Sequence, residues 1–197
     1  MRVRVAVALL CAAAATTLSA DPRTSKGDAE LLKRKVATIQ QRGANPVKQP
    51  VRTTVTENEV NSYLVFEAGP NLPAGVVEPT ISILGTGRLS GRAVVDLDAV
   101  RESKKPTGMF DPMSYLMGRL PITAAGTLTT DRGVGRFQLE SAAVGGVPVP
   151  KMVLQEIVSY YSRTPEHPAG FGLDDPFALP ARIREIQVLP GQAIIVQ

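Results

Sequence analysis

The chain of 197 residues has one cysteine, one histidine and no tryptophan. A single cysteine, Cys11, excludes an internal disulfide, so the fold depends on its core. The lone histidine, His167, sits in a Pro-flanked stretch with no acid or nucleophile motif beside it. A Ser–His–Asp triad or a histidine metal site would have to rest on that one residue. There is no G-x-S-x-G. The run Gly85–Gly91 (GTGRLSG) resembles a phosphate loop, but its third glycine falls one position late. Asp96 with Asp98, and Asp174 with Asp175, lack the spacing of a calcium loop. These absences predict a protein that is not an enzyme and needs no metal or cofactor. The net charge of +4 falls to +2 without Arg2 and Arg4 (4 − 2), which is too mild to argue for nucleic acid.

No apolar run reaches the ~20 residues that a membrane span needs. The N-terminus instead reads MRVRVAVALLCAAAATTLSA: Arg2 and Arg4, then an uncharged run from Val5 to Leu18, then small residues before Asp21. This is the pattern of a cleavable signal peptide over 1–20, and it predicts a secreted or periplasmic protein. A lipoprotein reading through Cys11 fails, because Leu10 stands where a small residue is wanted and the apolar run continues past it. Residues 21–50 are expected to form an N-terminal helix and linker, and 51–197 an α+β domain.

Hydrophobic residues make up 44% and charged residues 20%, a globular balance. Ser25 or Asp28 can cap a helix with Ala29, Leu32, Val36 and Ile39 on one face, ended by Gly43 and Pro46. Lys33, Arg34 and Lys35 lie on or near the other side, as a solvated basic face or a contact for anionic headgroups. A short strand is expected over Val51–Val55. Thr56 with Glu59 forms a capping box, and Val60, Tyr63, Leu64 and Phe66 are expected to be the buried face of the helix that follows. Pro73–Pro79 reads as a loop.

Two alternating runs come next. Ile81, Ile83, Gly85, Gly87 and Leu89 share a face, with a turn expected at Leu89–Arg92 and a return strand through Ala99. A short helix is expected at Asp111–Met117, near Met109, Met113 and Met117, as a lid or as core filling. Ile122, Ala124, Gly126 and Leu128 begin a second hairpin, turned at Asp131–Gly133. Its return strand is expected to carry Gly135, Phe137, Leu139, Ser141 and Ala143 on one face. The small residues on that face leave room for a helix or a ligand to approach. The turns are short, so the strands are antiparallel.

Gly145 to Pro150 then leads, through Gly and Pro, into a helix over Lys151–Tyr161. Val153, Leu154, Ile157, Val158 and Tyr161 form its main apolar face, widened by Met152 and Tyr160. Phe171 to Leu179 reads as a possible flap, and strands at Ile183–Leu189 and Ala193–Gln197 close the chain. The expected fold is α+β: a long antiparallel curved sheet of hairpins wrapped around amphipathic helices, in a single domain.

TVTENEVNSYL resembles the strand-to-helix entry of YceB-like exported bacterial proteins, and GGVPVPKMVLQEIV resembles the Gly/Pro-then-helix element of that group. The element order is similar to tubular lipid-binding (TULIP, SMP-like) domains. The resemblance implies a cradle for lipid or another apolar small molecule in the cell envelope, and the mild positive charge permits transient contact with an anionic membrane surface. Residues expected to line an apolar groove are Leu64, Tyr115, Leu116, Met152, Val153, Leu154, Ile157, Tyr161, Phe171 and Phe177. The alternative is an envelope assembly or scaffolding protein that meets a protein partner through the same apolar surface.

Overall fold

The computed structural model describes residues 23–45, 49–103, 117–161, 168–170 and 172–197, leaving aside the side chains at 101, 103, 157, 160 and 161. The fold is α+β, and its strands are antiparallel throughout the pairs they form. They divide into two sheets: a three-stranded sheet ordered β1-β9-β8 and a six-stranded sheet ordered β2-β3-β4-β5-β6, with β7 pairing β5. The helices are α1 (Lys26–Ala44), α2 (Glu57–Phe66), α3 (Leu97–Ser103) and α4 (Lys151–Tyr161). The strands are β1 (Arg52–Thr56), β2 (Val76–Gly85), β3 (Arg88–Asp96), β4 (Arg119–Asp131), β5 (Val134–Val144), β6 (Val147–Pro148), β7 (Phe177–Ala178), β8 (Glu185–Leu189) and β9 (Gln192–Val196).

Helix α1 starts as its sequence predicts: the Ser25 hydroxyl accepts from the Asp28 N–H at 3.1 Å. It does not stop at Gly43, which lies inside the helix. A Cβ there would sit 2.6 Å from the Ala181 backbone, so that glycine serves close approach rather than termination. Ala29, Leu32 and Ile39 are buried on the expected face.

Helix α2 corrects its prediction. Its buried side chains are Glu59, Asn61 and Ser62, while Val65 and Phe66 are exposed and Val60, Tyr63 and Leu64 half-buried. The expected capping box is present, with Glu59 N–H donating to Thr56 Oγ1 at 3.2 Å and Thr56 N–H to Glu59 Oε2 at 3.0 Å. The polar side of the helix faces inward because it meets open hydrogen-bonding groups there. Asn61 accepts from the Ile81 N–H at 2.8 Å and donates to the Ile81 carbonyl at 2.7 Å. Glu57 accepts from the Ile83 N–H at 2.6 Å. Ile81 and Ile83 lie on β2, the edge of the larger sheet, so α2 pairs that edge with side chains in place of a strand. Lys35 joins α1 to the same cluster, donating to both Glu59 oxygens and to the Thr54 carbonyl. The Ser25 N–H donates to the buried Ser62 hydroxyl at 3.0 Å.

Strand β2 begins at Val76, within the expected loop, and Glu78 at φ 51 marks an irregularity there. The expected turn at Leu89–Arg92 lies inside β3. The chain reverses at Thr86–Gly87, both at positive φ, between the paired Gly85 and Arg88. Two-residue loops with two positive φ values match the twist of the flanking strands. Arg132–Gly133 repeats the arrangement between β4 and β5, where the sequence placed it, and Gly145–Gly146 does so between β5 and β6. The return strand of the first hairpin ends at Asp96 rather than Ala99. Asp96 accepts from the N–H groups of Asp98 and Ala99 and so starts α3. The expected helix at Asp111–Met117 lies outside the described residues, apart from Met117, which is exposed.

The buried apolar cluster lies at one end. Strand β8 runs across the turn ends of both long hairpins: Gly133 N–H donates to Arg184 O, Gly87 N–H to Val188 O, and Thr130 Oγ1 exchanges two hydrogen bonds with Ile186. Gly191 N–H donates to Ile83 O at 2.8 Å, adding to the cover on the β2 edge. Ile39, Leu179 and Ile183 form the buried cluster, with Ala181, Ile186 and Ile195 packed against it.

Two outcomes follow from these contacts. Asn61→Ala should lower unfolding free energy by roughly 2–4 kcal/mol, since it strands both Ile81 groups away from water. Urea unfolding checks this, and a loss under about 1 kcal/mol would mean another group takes over the β2 edge. The Asp96 carboxyl is held below its usual range, first by the Ala99 N–H and then by Arg119. A depressed folded-state pKa contributes stability above roughly pH 4 and loses it as pH falls through the lower folded value. Asp96→Asn should therefore flatten the stability–pH curve in that acidic window only, and an unchanged curve would disconnect Asp96 from the folding equilibrium.

Candidate functional site

Directly paired residues in an antiparallel sheet share a face. One face of the larger sheet thus carries Ile83 and Leu89, Ala93 and Ile122, Val95 and Leu120, Leu128 and Phe137, and Ile122 and Val144. The register slips between Ala125 and Gly126, so that Gly126 pairs Leu139 while Ala125 pairs Ser141. This bulge corrects the predicted alternation of β5. Ala142 and Val144 join Phe137 and Leu139 on the apolar face, and Ser141 and Ala143 move to the polar one.

The glycines on this face are partly filled. A Cβ on Gly126 would meet the Phe137 ring at 2.7 Å, and one on Gly135 would meet the Phe177 ring at 2.6 Å. An aromatic ring lying over a sheet glycine supplies the packing that the glycine lacks. The expected room is therefore taken at those two positions. It persists at Gly91, whose Cβ would meet only Thr80 O, at 3.8 Å.

Burial follows the same gradient. Toward the turns, Ile83, Gly126 and Gly135 are buried. Away from them, Ile81, Ala93, Val95, Leu120, Ile122, Ala142 and Val144 are only half-buried. None of these is among the residues expected to line the groove, although their alternation is a signal for them.

The predicted lining residues fall at two edges of the sheet. Helix α4 packs along β5, and β7 pairs β5, so Met152, Val153, Leu154 and Phe177 lie on that side. Met152 is 77% exposed and Val153 47%, whereas Leu154 is half-buried. Leu64 belongs to α2, at the β2 edge. The sheet order places β3 and β4 between the β2 edge, where Leu64 stands, and β5, beside which the others lie. Ile157 and Tyr161 belong to α4, but their side chains lie outside the described set, as do residues Tyr115, Leu116 and Phe171 altogether.

Helix α4 is tied to the segment after it by the Lys151–Asp174 ion pair at 2.6 Å and by the Leu173 N–H donating to Gln155 Oε1 at 2.8 Å. Of the expected basic face, Lys33 pairs with Glu67 at 2.6 Å, which raises its pKa, and Lys35 is committed to Glu59. These two amines hold α1 to α2 rather than standing free for headgroups. Among the described residues there is no cluster of His, Cys, Asp or Glu able to hold a metal, and no helix long and apolar enough to cross a membrane.

Exposure separates two kinds of apolar residue on α4. Met152→Asp should leave unfolding free energy within about 0.5 kcal/mol of the parent. Leu154→Asp should cost more, roughly 1–3 kcal/mol, because a half-buried carboxylate loses hydration without a partner. Equal losses in urea unfolding would show that Met152 is packed. Compared with known proteins, the chain matches no family, no characterised protein and no solved structure.

Proposed function

We propose that this is an exported, non-enzymatic protein of the cell envelope that binds a lipid or another apolar ligand. The observation that carries the reading is the half-exposed apolar face of the larger sheet, from Ile81 and Val95 to Leu120, Ile122 and Val144. Apolar area left open to water is stabilised by whatever covers it, at roughly 25 cal/mol per Å2. The signal-like N-terminus and the resemblance to tubular lipid-binding domains support the same reading. A second reading, an assembly protein that docks on a protein partner, is favoured by one separate feature. Val147, Met152 and Val153 are 66%, 77% and 47% exposed within one short stretch around the start of α4.

The two readings predict different results. Protein purified from the envelope and extracted for mass spectrometry should release lipid. Ile122→Gln should weaken a fluorescent fatty-acid probe by about tenfold or more, a loss of about 1.4 kcal/mol. Met152→Asp should leave probe binding unchanged. Absence of lipid, together with a stoichiometric protein cross-linked through Met152 or Val153, would replace the first reading with the second.

A further inference from the structure

The other face of the larger sheet holds a groove of about 220 Å3, lined by Thr80, Ser82, Ser90, Arg92, Thr123 and Ser141, with Ala125 among them and Gly91 and Ala124 beneath. Cross-strand pairing brings these side chains together: Thr80 opposite Arg92, Ser82 opposite Ser90, Arg92 opposite Thr123 and Ala125 opposite Ser141. Four strands therefore contribute to one polar depression. Its size is below the roughly 300–1,000 Å3 of pockets for drug-sized ligands, so it suits a small one.

The polar groups of the groove are largely uncommitted. Arg92 is exposed and its guanidinium makes no ion pair or hydrogen bond among the described residues, while its carbonyl accepts from Thr80 Oγ1 at 3.5 Å. The neighbouring Arg88, by contrast, is paired with Glu140 at 3.4 Å. The hydroxyls of Ser82, Ser90, Thr123 and Ser141 have no hydrogen-bond partner among the described residues, although Ser82 and Ser90 are half-buried. No carboxylate lines the groove. A hydroxyl can donate as well as accept, and a guanidinium offers five donors in a fixed fork and no acceptor. Such a set complements a planar or tetrahedral oxyanion.

We propose that this groove binds a small oxyanion, with Arg92 as its charge partner and the hydroxyls of Ser82, Ser90, Thr123 and Ser141 as further donors. The site lies on the face opposite the apolar one, so it stands independently of the lipid reading. The oxyanion is either a free ion or the phosphate of a lipid headgroup, and both present the same chemistry to Arg92.

Titration of the full protein with inorganic phosphate at low ionic strength, followed by amide NMR, tests the free ion. Saturable shifts are expected at Ser82, Ser90, Thr123 and Ser141. Arg92→Gln should weaken them by about tenfold or more, and Arg88→Gln should not. Co-sedimentation with phosphatidylglycerol vesicles tests the headgroup source, with binding lost in Arg92→Gln and kept in Arg88→Gln. Thermal unfolding of Arg92→Gln should match the parent, because the guanidinium holds nothing in the fold. Arg92-dependent binding in either arm supports the site and identifies the source. Non-saturable shifts spread over all cationic residues, or binding indifferent to Arg92→Gln in both arms, would overturn it.

Discussion

Everything in this fold depends on how the outer edge of β2 is paired. A strand edge inside a protein carries N–H and carbonyl groups that are costly to leave unmet. Here the edge is met by side chains of a helix and by one turn, not by another strand. Glu57 takes the Ile83 N–H, Asn61 takes both polar groups of Ile81, and the Gly191 N–H takes the Ile83 carbonyl. Asn61 suits the central position because its amide has one donor end and one acceptor end, as a backbone peptide does. The cluster also fixes the neighbours. Glu59, held by Thr56, draws Lys35 and hence α1, while β1 leads directly into α2 through the capping residue. One polar segment of α2 thus joins both sheets and the N-terminal helix.

The same cluster explains what was legible in the sequence. Thr56 and Glu59 carry a local signal, three residues apart, and local hydrogen bonds are readable from spacing. Asn61 and Ser62 carry none, because their partners are 20 and 37 residues away. The assumption that apolar residues face inward therefore failed on this helix, where the inward side meets an open strand edge. Hairpins were legible where the turn stood alone, as at Arg132–Gly133. They were not where several glycines competed, since Gly85, Gly87 and Gly91 are equivalent to a reader of turn chemistry. Only register decides among them, and register is a long-range property.

Bulges set a second limit. The slip between Ala125 and Gly126 changes which residues of β5 share a face, and no residue type in that stretch announces it. Its consequence is to bring Ala142 and Val144 onto the apolar side. The candidate site was accordingly visible as a pattern of alternation, but its membership was not. Helix α4 forms over Lys151–Tyr161, as expected. Which part of that surface is open was not readable, since exposure of Met152 beside half-burial of Leu154 depends on what β5 and the segment at Leu173 leave uncovered.

Stability and openness occupy different ends of the molecule. The buried cluster of Ile39, Leu179 and Ile183, with the strand β8 laid across both hairpin turns, anchors the turn end. The far end of the larger sheet is held by ladder hydrogen bonds, the Asp96–Arg119 pair and the buried Leu97, while Leu120, Ile122, Ala142 and Val144 of β4 and β5 are only half-buried there. Regions with few buried contacts open at lower free energy than the core. Ligand-binding surfaces are drawn from that low-stability class, because a surface that has already buried itself has nothing left to offer a partner. Filling the far end with larger side chains would therefore raise stability and close the apolar face together. Gly91 is where room for a larger side chain remains, whereas at Gly126 and Gly135 an aromatic ring has already taken it.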